Sequence, residues 1–402
     1  MRTPFAPLLA LLLAWSLAPP AVAQEWESID GIRTPRAGAA GAVLDGRLFV
    51  IGGRDAEGRP LTSVEVFEPG VGWTVTTNLS VARVNAAASV LDGRVVVMGG
   101  ADANGEPIAD AEAYEPDLGS WVPFEPLQTP REGLGAATVD STLYAIGGAG
   151  PQGMLLESVE AYTDGWAPLV AWRLVPARAQ FGAVEQDGAV IIVGGISTVG
   201  PVPDVERFDP ATGVTTPLAD LLSARGGVAV AAHDGRIFAV GGRNAGDDVL
   251  ASVSALTLGP GAEWEVQAPL PRQVEGAVAG VLGEHLYVAG GGDQFGGVVS
   301  SVYRLPLRPV DTAAERPPLG GLGLSVVGPN PSRSGTALEV RADGRVRLSV
   351  VDLLGREVAV LHDGPVRGAA RVTWDGRVPA GVYVARVVGP GVSVSVPLTV
   401  VR

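Results

Sequence analysis

The feature that most limits what this chain can fold into is a pair of glycines ending an apolar run. RLFVIGG (residues 47–53) returns five more times, placing the pairs at Gly52-Gly53, Gly99-Gly100, Gly147-Gly148, Gly194-Gly195, Gly241-Gly242 and Gly290-Gly291, in steps of 47, 48, 47, 47 and 49 residues. A fixed period of this length is the mark of a repeat architecture, in which one supersecondary unit is copied and each copy buries its faces against its neighbours.

Each copy can also be walked from an arginine: Arg36, Arg83, Arg131, Arg178, Arg225 and Arg272, spaced 47, 48, 47, 47 and 47. A run of small residues follows (AGAAGAVL, VNAAASVL, EGLGAATV, AQFGAVEQ, GGVAVAAH, QVEGAVAGVL), as an innermost strand requires where several converge on a narrow axis. Asp45-Gly46, Asp92-Gly93, Asp187-Gly188 and Asp234-Gly235 then suit a two-residue type I′ hairpin, which needs positive φ at both positions. The second strand is continuously apolar into the glycine pair, hence buried on both faces. No helix follows the pair and the chain has no Lys, so a phosphate-cradling loop is a poor reading. The third strand reads SVEVFEP, DAEAYEP, SVEAYTD and DVERFDP, and decays to SVSALTL and SVYRLPL. A fourth carries Trp26, Trp73, Trp121, Trp166 or Trp264, rings suited to filling the space between diverging sheets.

This succession of Arg, small strand, Asp-Gly, Gly-Gly, V-E-x-[FY]-[ED]-P and Trp resembles the kelch repeat. The resemblance implies an all-β fold, a six-bladed kelch β-propeller over residues 24–308, in which a lone N-terminal strand around Trp26 completes the last blade. Closure of that kind removes the open edges a linear array would expose.

The first 23 residues read as a signal peptide: one Arg, an apolar core over about residues 8–17, and Ala21-Val22-Ala23 as a cleavage site. No later stretch is apolar for the roughly 20 residues a membrane-spanning helix needs. With no Cys there is neither disulfide nor thiolate metal site. A formal charge of −14 argues against nucleic acid and anionic membranes as partners. Residues 309–321, rich in Pro, Gly and charge, read as a linker. Residues 322–402 then show alternating strands split by Gly, Pro and Asp, at the spacing of a small Ig-like β-sandwich. Asn330-Pro331, VDLLGREV (residues 351–358), Trp374-Asp375-Gly376 and Ala380-Gly381-Val382-Tyr383 resemble the C-terminal sorting domain of type IX secretion cargo. That resemblance implies export, with the type IX machinery as partner and the cell surface or the exterior as destination.

A function follows from placement. If the first strand runs away from its Arg, the second returns to the Arg side, and the six unlike loops after the glycine pairs crowd that face. Constant framework with divergent loops is where a binding surface is built, while the Asp-Gly face offers little room. The candidate ligand contacts are Arg36, Arg83, Arg131, Arg178, Arg225 and Arg272, joined by Asn85, Gln180 and Gln273; Glu65, Glu112, Glu160 and Glu206 are available to pair four of the Arg, which points to Arg225 and Arg272 as the free ones. The expected ligand is a glycan or a protein, with no cofactor and no metal; Asp102-Ala103-Asn104-Gly105 reads as a tight turn rather than half a calcium loop. The binding module is the leading reading. The alternative is a carbohydrate-active mutarotase or epimerase, an activity known on such propellers, with Glu132 or Glu275 as acid and base. The copper-radical oxidase known on this fold is excluded by the absence of Cys, and His233, His285 and His362 lie on the turn face or in the tail.

Overall fold

A computed structural model describes residues 25–307, 323–328, 332, 335–352, 356–389 and 392–401. They fall into two compact units, the first holding residues 25–307 and the second the described residues from 323 on. The segments read as signal peptide (1–23) and linker (309–321) lie outside the described residues, as do Asn330, Pro331 and residues 353–355 of the tail motifs.

In the first unit the repeat becomes six antiparallel sheets of four strands, numbered here in chain order. Sheet one runs Ala40–Leu44, Arg47–Ile51, Val64–Glu68 and Gly72–Val75. Sheet six takes Val278–Leu282, His285–Ala289 and Val302–Pro306 from the last repeat and Glu27–Ile29 from the start of the described chain. Glu27 lies opposite Arg304 and Ile29 opposite Val302, with an ion pair of 2.7 Å from Arg304 Nη2 to Glu27 Oε2. The first strands neighbour one another in succession, and that of sheet six neighbours that of sheet one, so they form a closed ring.

Residue size explains the ring. A Cβ on Gly182 would collide with Val230 of the next sheet, and one on Gly41 with Val278. Asp45 and Gly46 have φ of 49° and 70°, the mirror-image turn expected of Asp-Gly. Leu48, Phe49, Val50 and Ile51 are sealed from solvent, as a strand packed on both faces must be. The outer tryptophans pack and also tie sheets together: Trp73, Trp166, Trp264 and Trp26 donate indole N–H bonds of 2.7–2.9 Å to the carbonyls of Asp30, Glu125, Ala219 and Ala268. Sheet four has no Trp of its own; Trp172, near the end of the eight-residue strand Trp166–Arg173, stacks on Phe208 with centroids 3.6 Å apart.

The second unit is a five-stranded antiparallel sheet of Gly323–Val326, Thr336–Val351, Glu357–Trp374, Gly381–Gly389 and Val392–Val400. The short strands expected from the sequence are corrected here. Ala342-Asp343-Gly344 does not end a strand, because Gly344, at φ 156°, is carried inside a 16-residue strand paired along its length with Glu357–Trp374. Leu338, Val340, Leu348, Val350, Ala385 and Val387 are fully buried in its core. Two of the singled-out motifs meet there: Trp374 lies edge-on to Tyr383 at 5.6 Å, and the Tyr383 hydroxyl donates to Pro379 O at 2.9 Å.

Candidate ligand-binding mouth

The repeated arginines are interior. Arg36, Arg83, Arg131, Arg178 and Arg225 are no more than 2% exposed. Arg36 spends all five of its N–H donors: Nε on Thr34 O, Nη1 on Gly52 O and Ser63 O, Nη2 on Ser63 Oγ and on Glu65 Oε1 at 2.8 Å. Arg131 repeats this with Thr129, Gly147, Ser158 and Glu160. The Glu65 carboxylate also accepts the backbone N–H of Arg33 and Thr34, three and two residues before its Arg; Glu112 does the same with Ser80 and Val81, and Glu160 with Gln128 and Thr129. Sheet four departs because Pro176 stands two residues before Arg178 and has no N–H to give. Burial lowers the affinity of Arg36, Arg83 and Arg131 for their protons, opposed by the paired Glu.

The glycine pair belongs to the same junction. Gly53, at φ 91°, donates to the carbonyl of Arg83 in the next sheet, and a Cβ there would stand 2.9 Å from Ala37 O. The contact repeats around the ring: Gly100 to Arg131, Gly148 to Arg178, Gly195 to Arg225, and Gly291 back to Arg36. Each arginine therefore joins its own blade to the one before it. None of the five lines the axial cavity described below, which corrects the expectation that they form its ligand contacts.

Arg272 is corrected on a different ground. The carbonyl that receives the glycine N–H from sheet five, Gly242, is that of Val274, so Val274 and not Arg272 occupies the repeated position. The last glycine step of 49 residues carries this shift, and the residue type at 272 concealed it. Arg272 is a surface residue, its side chain 48% exposed and paired with Asp293 at 2.8 Å. Gln273 beside it is half-buried and does not line the cavity described next.

Two residues beyond each repeated position the chain forms a second ring. Asn85 N–H donates to Gly38 O, Gly133 to Asn85, Gln180 to Gly133, Gly227 to Gln180, Gly276 to Gly227 and Gly38 to Gly276, all at 2.7–2.9 Å. All six residues are left-handed, with φ between 54° and 63°. Glycine adopts this freely; Asn tolerates it and Gln resists it. Four positions are Gly, and the side chains of the other two, Asn85 and Gln180, enter an axial cavity of about 310 Å³ that this ring floors.

Arg54 and Glu275 complete the polar lining of that cavity. Arg54 is the first residue after the glycine pair of sheet one; Arg243 holds the same place in sheet five, and between them in sheet six stands Gly292. Arg243 clamps the Glu275 carboxylate with two bonds of 2.6 and 2.7 Å, and that pairing raises its own proton affinity. A Cβ added to Gly292 would stand 3.5 Å from Glu275 Cγ and 3.6 Å from Arg54 Nη2, so the missing side chain opens a notch between them. Among the described residues nothing bonds the Arg54 guanidinium. It is half-buried and faces the cavity as a cation with unspent donors. The two carboxylates assigned to acid–base chemistry are engaged: Glu275 by Arg243, and Glu132 by Asn85 Nδ2 at 3.1 Å.

The loops after the glycine pairs stand around this mouth and end in unlike tips, with Met154, Val199 and Phe295 exposed, the last two at 90% and 93%. Asp102 caps the backbone N–H of Asn104 and Glu106, the tight turn read from its sequence. The opposite end of the axis is roomier than expected, about 390 Å³, but Ala, Val and Gly dominate its wall and the hydroxyls of Ser89 and Thr138 bond each other at 2.9 Å. Sequence reasoning missed Arg54 because it opens a loop that differs in every repeat; its one signal was the recurrence of Arg after Gly-Gly at 54 and 243.

With this geometry in place, comparison with known proteins gives a consistent picture. The family model described as "Kelch motif" matches residues 35–71 and 82–128. Kelch-like protein 25 of Xenopus tropicalis is 26% identical over 195 residues, 46% of this chain and 32% of the relative; human kelch-like protein 25 is 25% identical over the same shares. The match thus spans about a third of the length of these curated relatives. Among solved structures, YjhT is similar with a TM-score of 0.59 at 14% identity, covering 68% of this chain and 96% of YjhT, a likeness of fold.

Proposed function

Because the chain is a kelch-repeat protein with a β-propeller fold, we propose that it is a binding module of six blades, and that it captures a protein partner at the axial mouth through an acidic side chain. The observation that carries this is the unpartnered Arg54 guanidinium beside the Gly292 notch, facing a cavity that Asn85 and Gln180 also enter. A buried or half-buried cation with free donors gains most from a carboxylate, which it can bind through two parallel bonds. The two amides supply neutral donors and acceptors for the backbone or side chains around that carboxylate. The exposed loop tips add contact area of different character on each side, as a specific partner requires.

The remaining readings belong to the same proposal. Residues 1–23 are removed as a signal peptide, the propeller covers 24–308, and 322–402 form a sorting domain that the type IX machinery recognises, so the module works at the cell surface or outside it. The sequence motifs of the tail support this, as does the meeting of Trp374 and Tyr383 in one core.

Peptide and glycan arrays probed with the full chain test the binding claim. Capture of acidic peptides, weakened by about tenfold or more, 1.4 kcal/mol, in Arg54→Ala, is the expected outcome. Capture indifferent to ligand charge and to Arg54 would overturn it, and selective retention of acidic glycans would transfer the site to a sugar-acid ligand. Deleting residues 322–402 is expected to hold the propeller in the periplasm, and unimpaired surface display would contradict the sorting role.

A further inference from the structure

Blade five keeps half of an ion pair. In sheets one to three a buried carboxylate is held by three groups: the Nη2 edge of the repeated Arg and two consecutive backbone N–H groups just before it. In sheet six both partners have gone together, Arg to Val274 and Glu to Tyr303, leaving no charge to satisfy. In sheet five only the acid has gone. Ser254 faces Ala239 in the register that places Glu65 opposite Val50 and Glu206 opposite Ile192, so Ser254 stands where the carboxylate stands elsewhere.

The cationic side is intact. Arg225 is 2% exposed; its Nε donates to Ser223 O and its Nη1 to Gly241 O, Ser252 O and Ser252 Oγ. The acceptors are those equivalent to Arg36's except the carboxylate, but the serine hydroxyl is reached from Nη1 instead of Nη2, and no described residue accepts from Nη2. The N–H groups of Leu222 and Ser223, equivalent to those of Arg33 and Thr34, likewise have no partner among the described residues. Ser254 is itself buried and offers a hydroxyl that can donate. The result is four donors at the positions that surround or replace the carboxylate in sheets one to three, one of them on a buried cation, with no anion from the chain.

We infer that blade five binds a small monovalent anion, a halide or a free carboxylate such as formate, between Arg225 Nη2, the N–H groups of Leu222 and Ser223 and the Ser254 hydroxyl. The chemistry is that of the glutamate it replaces. A buried cation without a counter-charge is strongly unfavourable, and successive backbone N–H groups form an anion-binding concavity. Going from Glu to Ser removes one methylene and a carboxylate and adds a hydroxyl, so the expected occupant is an ion of about carboxylate size rather than sulfate or a larger acid. The ion is a structural component of the blade, and none of the four groups that would hold it lines the mouth.

Thermal unfolding of the full chain at constant ionic strength tests this, with sodium gluconate exchanged for chloride, bromide or formate. The wild type is expected to gain stability with the logarithm of the concentration of the fitting anion, as ligand linkage requires. Ser254→Glu restores the missing carboxylate and is expected to unfold at a higher temperature in gluconate and to lose the anion dependence. Anion dependence of equal size in the two proteins, or none in the wild type, would overturn the proposal. Crystals grown in bromide give a reading that does not depend on the variant folding: an anomalous peak against Arg225 Nη2 supports the site, and water there refutes it.

Discussion

At the residue scale, the same side chain type serves three ends according to what surrounds it. Arg36 and Arg131 have no donor left over, Arg225 has one edge that no described residue accepts from, and Arg54 has its guanidinium free in the mouth. Burial moves Arg225 furthest of the group, to about 10, because no carboxylate opposes it. Removing a saturated arginine is therefore a stability experiment. Arg131→Met strands the Glu160 carboxylate in the interior and is expected to cost about 3–5 kcal/mol in urea unfolding, the usual effect of breaking a buried pair from one side. The left-handed Gln180 makes the opposite prediction. Gln180→Gly relieves an unfavourable backbone conformation and is expected to raise stability by about 1 kcal/mol while weakening ligand capture, the signature of a residue kept for its side chain. A variant that is no more stable and binds as before would show that the ring tolerates Gln for no functional reason.

At the scale of elements, the sequence was most legible where one residue type had one physical job. The Asp-Gly turns, the small inner strands and the apolar second strands followed from positive φ, crowding at the axis and burial on both faces. The pairing of Glu65, Glu112, Glu160 and Glu206 with four arginines was legible for the same reason. It failed where residue identity and register disagreed: Arg272 was aligned by its type, although the glycine spacing placed Val274 there. The long strands Thr336–Val351 and Glu357–Trp374 were hidden because a Gly inside a strand reads as a break when the pairing partner is unknown. Nothing local in the sequence reports that Arg54 and Glu275, at opposite ends of the repeat array, share a cavity; ring closure brings them together. That closure rests on a three-residue strand. Deleting residues 25–30 exposes the edge of Val302–Pro306, and amide exchange in that strand is expected to accelerate by at least about tenfold, while that of Ser158–Tyr162 across the ring changes less.

For the whole molecule, the repeat supplies rigidity and the departures from it supply function. Six junctions tie each sheet to the next through a glycine N–H and a carbonyl, and a second ring of six hydrogen bonds floors the mouth. On that frame the loops differ, and Arg54 faces the mouth with a guanidinium that no described residue bonds. The central claim is that partners engage this end of the axis. Hydrogen–deuterium exchange of the full chain with and without a captured acidic peptide measures it most directly. The account predicts slowed exchange in residues 54–60, 101–107 and 292–298 around the mouth, with the turns at Asp45-Gly46, Asp92-Gly93 and Asp234-Gly235 unchanged. Protection of those turns, or of residues 323–401 with the mouth loops unaffected, would contradict it.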